Sequence, residues 1–160
     1  GVIAAPITYE VDGTQYFSIA AGWGGFFGKS QRASDLKTAG TVYTFVLNGD
    51  AEMPEFTQYQ LNSLVSGVEY NPDFIGEGTA LYVSNCVFCH GVPGVDKGGN
   101  IPNLGYSKKS VIENLDAFLF HGPFVSSGMP DFTETLNETD VEKIKAFIQG
   151  TADAIRPKSQ

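Results

Sequence analysis

The chain has 160 residues, 18 acidic and 10 basic side chains and a formal net charge of −8. It is long enough for one domain or two small ones, and no apolar run reaches the roughly 20 residues that a membrane-spanning helix needs. The acid excess is spread evenly, seven acidic against three basic residues over 1–69 and eleven against seven over 70–160. No basic patch stands out, which argues against nucleic acid and anionic membrane surfaces as partners.

The first part of the chain reads as β structure. Ile7–Val11 and Gln15–Ile19 are strand-like runs, and Asp12-Gly13 between them is a hairpin signal, because glycine supplies the positive φ of a tight turn. The strands are expected over 2–11 and 15–21. Gly22-Trp23-Gly24-Gly25-Phe26-Phe27-Gly28 follows, a glycine-rich loop with aromatics. It lacks the ordered lysine and hydroxyl residue of a phosphate-binding loop. Residues 29–40 are polar and loop-like, and 41–47 form a third strand that ends at Asn48-Gly49. Three strands alone make a marginal sheet, so their natural place is within a larger β structure. Residues 56–70 show weak periodicity and read as a linker, which divides the chain into a β segment over 1–55 and a second domain over 71–160.

From Asn71-Pro72 the pattern turns helical. Pro72 and Asp73 open a first helix, and Gly76, Ala80, Tyr82 and Val83 lead into Cys86 at helical spacing. Residues 91–109 are a loop rich in Gly, Pro and Asn. A second helix is expected over 110–120, with Ser110 as N-cap, Glu113 completing a capping box, and Val111, Leu115, Phe118 and Leu119 on one face. After another loop, a last helix is expected over 138–149. It is capped by Asn137, carries the stripe Val141, Ile144, Phe147 and Ile148, and is stopped by Gly150.

Cys86-Val87-Phe88-Cys89-His90 is the stretch with the sharpest chemistry. Two cysteines three apart with histidine directly after the second read as a c-type haem attachment site. Each thiol adds across one haem vinyl group, a short helical turn brings both sulfurs to one porphyrin edge, and the histidine is held beneath the ring to ligate iron. The competing readings are a disulfide, a redox dithiol or half of a zinc site. Zinc would need a second Cys or His pair, and only His121 remains. The cofactor read from this motif is haem c.

Met129, His121 and Met53 are the candidates for the other axial position. Met129 lies in Ser127-Gly128-Met129-Pro130, where Gly128 allows close backbone approach and Pro130 stiffens the chain that carries the sulfur. A thioether favours reduced iron and raises the potential, whereas His121 would lower it. The other N–H of a ligating imidazole needs an acceptor, and the carbonyl of Pro102 is the candidate.

Together these residues resemble class I cytochrome c. Gly78-Thr79-Ala80-Leu81-Tyr82, the Cys86–Gly91 motif, Pro102-Asn103-Leu104, Gly128-Met129-Pro130 and the final helix match that family in order over about residues 72–152. The resemblance implies a mostly α cytochrome c fold, with Gly78 and Tyr82 crossing the last helix near Phe147. It also implies His90 and Met129 as axial ligands.

The N-terminal part, from Ala4 to Tyr16 and from Ala21 to Gly25, looks like the closing blade of a PQQ-dependent alcohol dehydrogenase. In the quinohaemoprotein members of that family a propeller is followed by a linker and a cytochrome domain. The resemblance implies that 1–55 is the remnant of a last propeller blade and that Trp23 and Gly24 lie near the PQQ pocket of a parent enzyme that also holds calcium. Its propeller would donate electrons, and a small soluble redox protein or a membrane quinone system would accept them. The catalytic aspartate, the calcium ligands and the other blades are not in this sequence, so the chain alone is an electron-transfer module without an alcohol-oxidising site.

Thioether attachment takes place outside the cytoplasm, which points to the periplasm and to an export signal removed from, or lying upstream of, Gly1. The alternatives are a free-standing soluble cytochrome c carrier and a haem sensor or peroxidase with an exchangeable axial site. The β segment is expected to expose Tyr9, Phe17 and Val42. It would then either dimerise through residues 1–50 or lie against the haem domain, while a chain starting near Asn71 would stay folded.

Overall fold

The structure is a computed structural model, which describes residues 1–2, 4–22, 40–55, 62–96 and 101–157. Three strands, β1 (Ile7–Val11), β2 (Thr14–Ala21) and β3 (Thr41–Val46), form an antiparallel sheet in sequence order. Asp12 and Gly13 both take positive φ, 50° and 76°, the two-residue turn whose twist matches the flanking strands. It fixes the register Ile7↔Ser18 through Val11↔Thr14, which stacks Tyr9 on Tyr16 at 5.5 Å. On the other side of β2, Phe17 stands opposite Phe45, with ring centroids 6.0 Å apart. The sheet buries little. Ser18 is its one buried residue, bonded at 2.7 Å to the Thr44 hydroxyl. Tyr9, Phe17 and Val42 are exposed, Val42 to 70%.

The rest is helical. Asn71 accepts from the Asp73 N–H, and Pro72–Phe74 make a 3₁₀ turn that leads into α1 (Ile75–Asn85). A single turn, α2 (Val87–His90), follows. Two short helices come next, α3 (Lys109–Glu113) and α4 (Asp116–Leu119), and then the long α5 (Glu138–Ile155). The core lies where α1 crosses α5. A Cβ on Gly78 would stand 2.0 Å from the Lys143 carbonyl oxygen, so only glycine lets the backbones approach this closely. One turn on, Tyr82 meets Phe147 with centroids 5.1 Å apart. Val141, Ile144 and Ile148 fill the same core, each 1% exposed or less, together with Ile112, Leu115 and Leu119.

Three expectations are corrected. The single helix over 110–120 is two short helices. The Asn114 side chain donates to the Ser110 carbonyl at 2.8 Å, competing with the helical ladder, and the backbone breaks there. The helix opens at Lys109 with Lys108 as cap residue, so the capping box from Ser110 and Glu113 does not form. Nor does Gly150 stop the last helix. α5 runs to Ile155 and ends before Pro157, which cannot continue the ladder. Gly150 makes room instead, since a Cβ there would lie 2.8 Å from the Ile75 side chain. The capping box of Asn137 and Asp140 does form.

The third correction concerns the stretch read as linker. Its described part, residues 62–70, packs into the helical core, with Val65 3% and Val68 6% exposed. Gln149, buried on α5, accepts from the Val68 N–H at 3.3 Å and donates to the Val65 carbonyl at 3.2 Å. The Val65 N–H donates to the Gly105 carbonyl at 2.8 Å. Arg156 donates to the Val65 carbonyl as well. Weak periodicity hid this strap because it has no regular secondary structure and its partners lie far along the sequence.

Candidate haem-binding site

Cys86 sits at the joint between α1 and α2, 6% exposed, with its N–H on the Tyr82 carbonyl at 2.8 Å. The N–H groups of Cys89 and His90 both return to the Cys86 carbonyl, at 3.1 and 2.9 Å. Cys86-x-x-Cys89-His90 is therefore one tight turn closed on itself, and its two thiols are free, with no disulfide between them. Burial, with Cys89 nearby, pushes the Cys86 thiol up to about 12. A redox dithiol needs the opposite, a depressed thiol. Among the described residues no group of three or more His, Cys, Asp or Glu is placed to hold a metal ion.

His90 closes α2. Its Nδ1 lies 2.8 Å from the Pro102 carbonyl oxygen. A carbonyl can only accept, so Nδ1 carries the proton and Nε2 presents a lone pair. Burial lowers the His90 pKa, opposed by the bond to Pro102, so the ring is kept neutral, the form that binds iron.

The Pro102 carbonyl is fixed in turn by a residue that sequence reasoning missed. Asn103, 3% exposed, accepts from the Gly94 and Gly105 N–H groups at 2.8 and 2.9 Å and donates to the Val92 carbonyl at 2.8 Å. It ties the stretch after His90 to the stretch that holds Pro102. The signal was present, an asparagine directly after the proline and before a buried leucine, but nothing in the sequence told how far its amide would reach. Tyr82 and Tyr106 add bonds to the Gly91 and Gly94 carbonyls, each at 2.9 Å.

Met129 follows a tight turn. Val125–Ser127 form a 3₁₀ turn, and Gly128 follows at φ 94°, the left-handed conformation that ends it. The Gly128 N–H returns to Val125 and the Met129 N–H to Phe124, both at 3.1 Å. Nothing lies within 4 Å of where a Gly128 Cβ would stand, so φ, not space, requires glycine here. Met129 is half-buried against the core cluster that includes Cys86. The other candidates stand elsewhere. The His121 side chain is 78% exposed and bonded to Asp131, and Met53 is exposed. Trp23 and Gly24 lie outside the described residues.

This donor set fits a haem. It provides two thiols on one turn, a neutral imidazole with its outer nitrogen already committed, and a thioether on a fixed loop.

Comparison with known proteins agrees with this chemistry. Residues 74–148 match the family model described as cytochrome C oxidase, cbb3-type, subunit III. Over 158 residues, 99% of this chain, the sequence is 71% identical to the 1-butanol dehydrogenase (cytochrome c) of Thauera butanivorans, covering 23% of that protein. It is 62% identical over the same length to the quinohemoprotein alcohol dehydrogenase of Comamonas testosteroni, covering 22% of it. The crystal structure of the Comamonas testosteroni quinohemoprotein alcohol dehydrogenase superposes on 98% of this chain with a TM-score of 0.86 and 61% identity. The chain thus spans less than a quarter of the length of these relatives. It carries a cytochrome c domain and belongs, as a C-terminal part, with the quinohaemoprotein alcohol dehydrogenases.

Proposed function

We propose that this chain holds one haem c, joined by thioethers to Cys86 and Cys89 and ligated by His90 and Met129, and that it transfers electrons in a periplasmic alcohol dehydrogenase. The bound haem would supply a one-electron iron couple. The chain's own residues set how that couple behaves. Pro102, held by Asn103, fixes the His90 ring and makes it a better donor. The thioether of Met129 favours the reduced state, which suits an acceptor of electrons. The observation that supports this reading best is the 2.8 Å contact of His90 Nδ1 with Pro102, which puts the proton on Nδ1 and leaves Nε2, directly after the cysteine pair, with a lone pair to offer iron.

The electron donor in this reading is PQQ, held with calcium by a propeller domain of the same polypeptide, with Trp23 and Gly24 near the quinone. The acceptor is a small soluble redox protein or a membrane quinone system. No helix among the described residues is long and apolar enough to cross a membrane. The relatives' printed names and the 22–23% share that this chain covers favour this over the alternative, a free-standing soluble carrier. In this reading the cytochrome unit begins near residue 62, and the packing of Val65 and Val68 in its core supports that. The test is anaerobic mixing of the full-length polypeptide with alcohol. The haem should be reduced when PQQ and calcium are loaded and stay oxidised when they are not. Reduction that needs neither, or no reduction with both, would contradict the proposed donor.

A further inference from the structure

The geometry of His121 gives it a task other than that of a rival iron ligand. The chain leaves α4 at Leu119 and returns at Phe132, whose N–H donates to the Leu119 carbonyl at 2.9 Å. The segment between them carries Met129. Its two ends meet at one carboxylate. The Asp131 side chain accepts from His121 Nδ1 at 2.6 Å and from the His121 N–H at 3.3 Å. It also accepts the Thr133 N–H at 3.0 Å and the Thr133 hydroxyl.

His121 stands at φ 51°, a conformation that costs a non-glycine residue energy and persists only when its surroundings fix it. The two bonds to Asp131 are what fixes it. From Asp131 only Pro130, with its locked φ, separates the carboxylate from Met129.

We propose that His121 and Asp131 are positioning residues for Met129, a clasp at the neck of its loop that sets where the sulfur stands. This rests on the reading of Met129 as axial ligand. A second consequence is that Asp131 holds the one other imidazole of the chain outward, where it is 78% exposed.

The experiment uses the haem-loaded chain and its Asp131→Ala, His121→Ala, double and His121→Asn variants. The readouts are the methionine-to-iron charge-transfer band of the oxidised form and the rate of carbon monoxide binding to the reduced form. Both alanine variants should weaken the band and speed carbon monoxide binding severalfold. The double variant should do no more than Asp131→Ala alone, because that change already removes the bond to the imidazole together with those from the His121 and Thr133 N–H groups. Asparagine at 121 tolerates positive φ and can donate to Asp131, so His121→Asn should restore the unsubstituted behaviour. His121 is exposed, so its replacement leaves the core intact even if Asp131→Ala folds poorly. Unchanged band and rate in His121→Ala, or additive effects in the double variant, would overturn the clasp. Absence of the band from the unsubstituted protein would overturn the Met129 reading itself and the clasp with it.

Discussion

Met129 and Tyr82 are the single residues whose replacement tests the proposed site most directly. Met129→Ala should keep the haem attached, since the thioether positions are untouched. The reduced protein should then bind carbon monoxide readily and the potential should fall as water or His121 takes the position. If Met53→Ala or His121→Ala produces that change and Met129→Ala does not, the ligand assignment fails. Tyr82 is fully buried, and burial first, then Cys86 and Asp96, raises its hydroxyl far above the ordinary value near 10. Its neutral form is therefore the one the fold accepts. The stability this provides is present below pH about 10 and is lost as pH rises beyond it, because the unfolded tyrosine ionises first. Tyr82→Phe should flatten that alkaline loss while costing about 1 kcal/mol at neutral pH, the bond to the Gly91 carbonyl being gone. Chemical denaturation at two pH values measures both. An alkaline loss of the same size in the variant would show that Tyr82 does not cause it.

The elements most open to test are the strap over 62–70 and α5, which hold each other. A chain beginning at Asn71 loses the buried Val65 and Val68 and leaves the Gln149 amide without either strap partner. It should be less stable than a chain beginning at Asn62 by about 4 kcal/mol, from two buried valines and the lost strap bonds of Gln149. Thermal melts of the two haem-loaded chains decide this, and equal melting temperatures would show that the strap is a linker after all. The contrast shows what the sequence could and could not reveal. The Cys86–His90 turn, the Gly-Met-Pro loop, the Asn137 cap and the Asp12-Gly13 hairpin depend on neighbours a few residues apart, and local pattern found the shape of each of them. The strap, the Asn103 bridge and the room that Gly150 gives Ile75 depend on partners brought together only by folding. Pattern then misled: an irregular buried segment resembles a linker, and a packing glycine resembles a helix stop. The break at Asn114 lies between, a local competition that a helical apolar face concealed.

At the scale of the whole molecule the two halves differ in how they meet water. The helical part buries a continuous core, whereas the sheet leaves Ile7, Val11, Val42 and Phe45 exposed, with β1 and β3 as its edge strands among the described residues. Exposed apolar strands and free edges drive association. Light scattering should therefore find the 160-residue chain larger than a monomer and a chain beginning at Asn62 monomeric. A monomeric full chain would show that the sheet finds its cover within the chain. The central claim, that one haem is bound covalently through Cys86 and Cys89, is tested most directly by the intact mass of the denatured, acid-extracted protein made in the periplasm. The account predicts the polypeptide mass plus one haem, with the added mass on the peptide that contains Cys86 and Cys89. A mass equal to the polypeptide alone would contradict it.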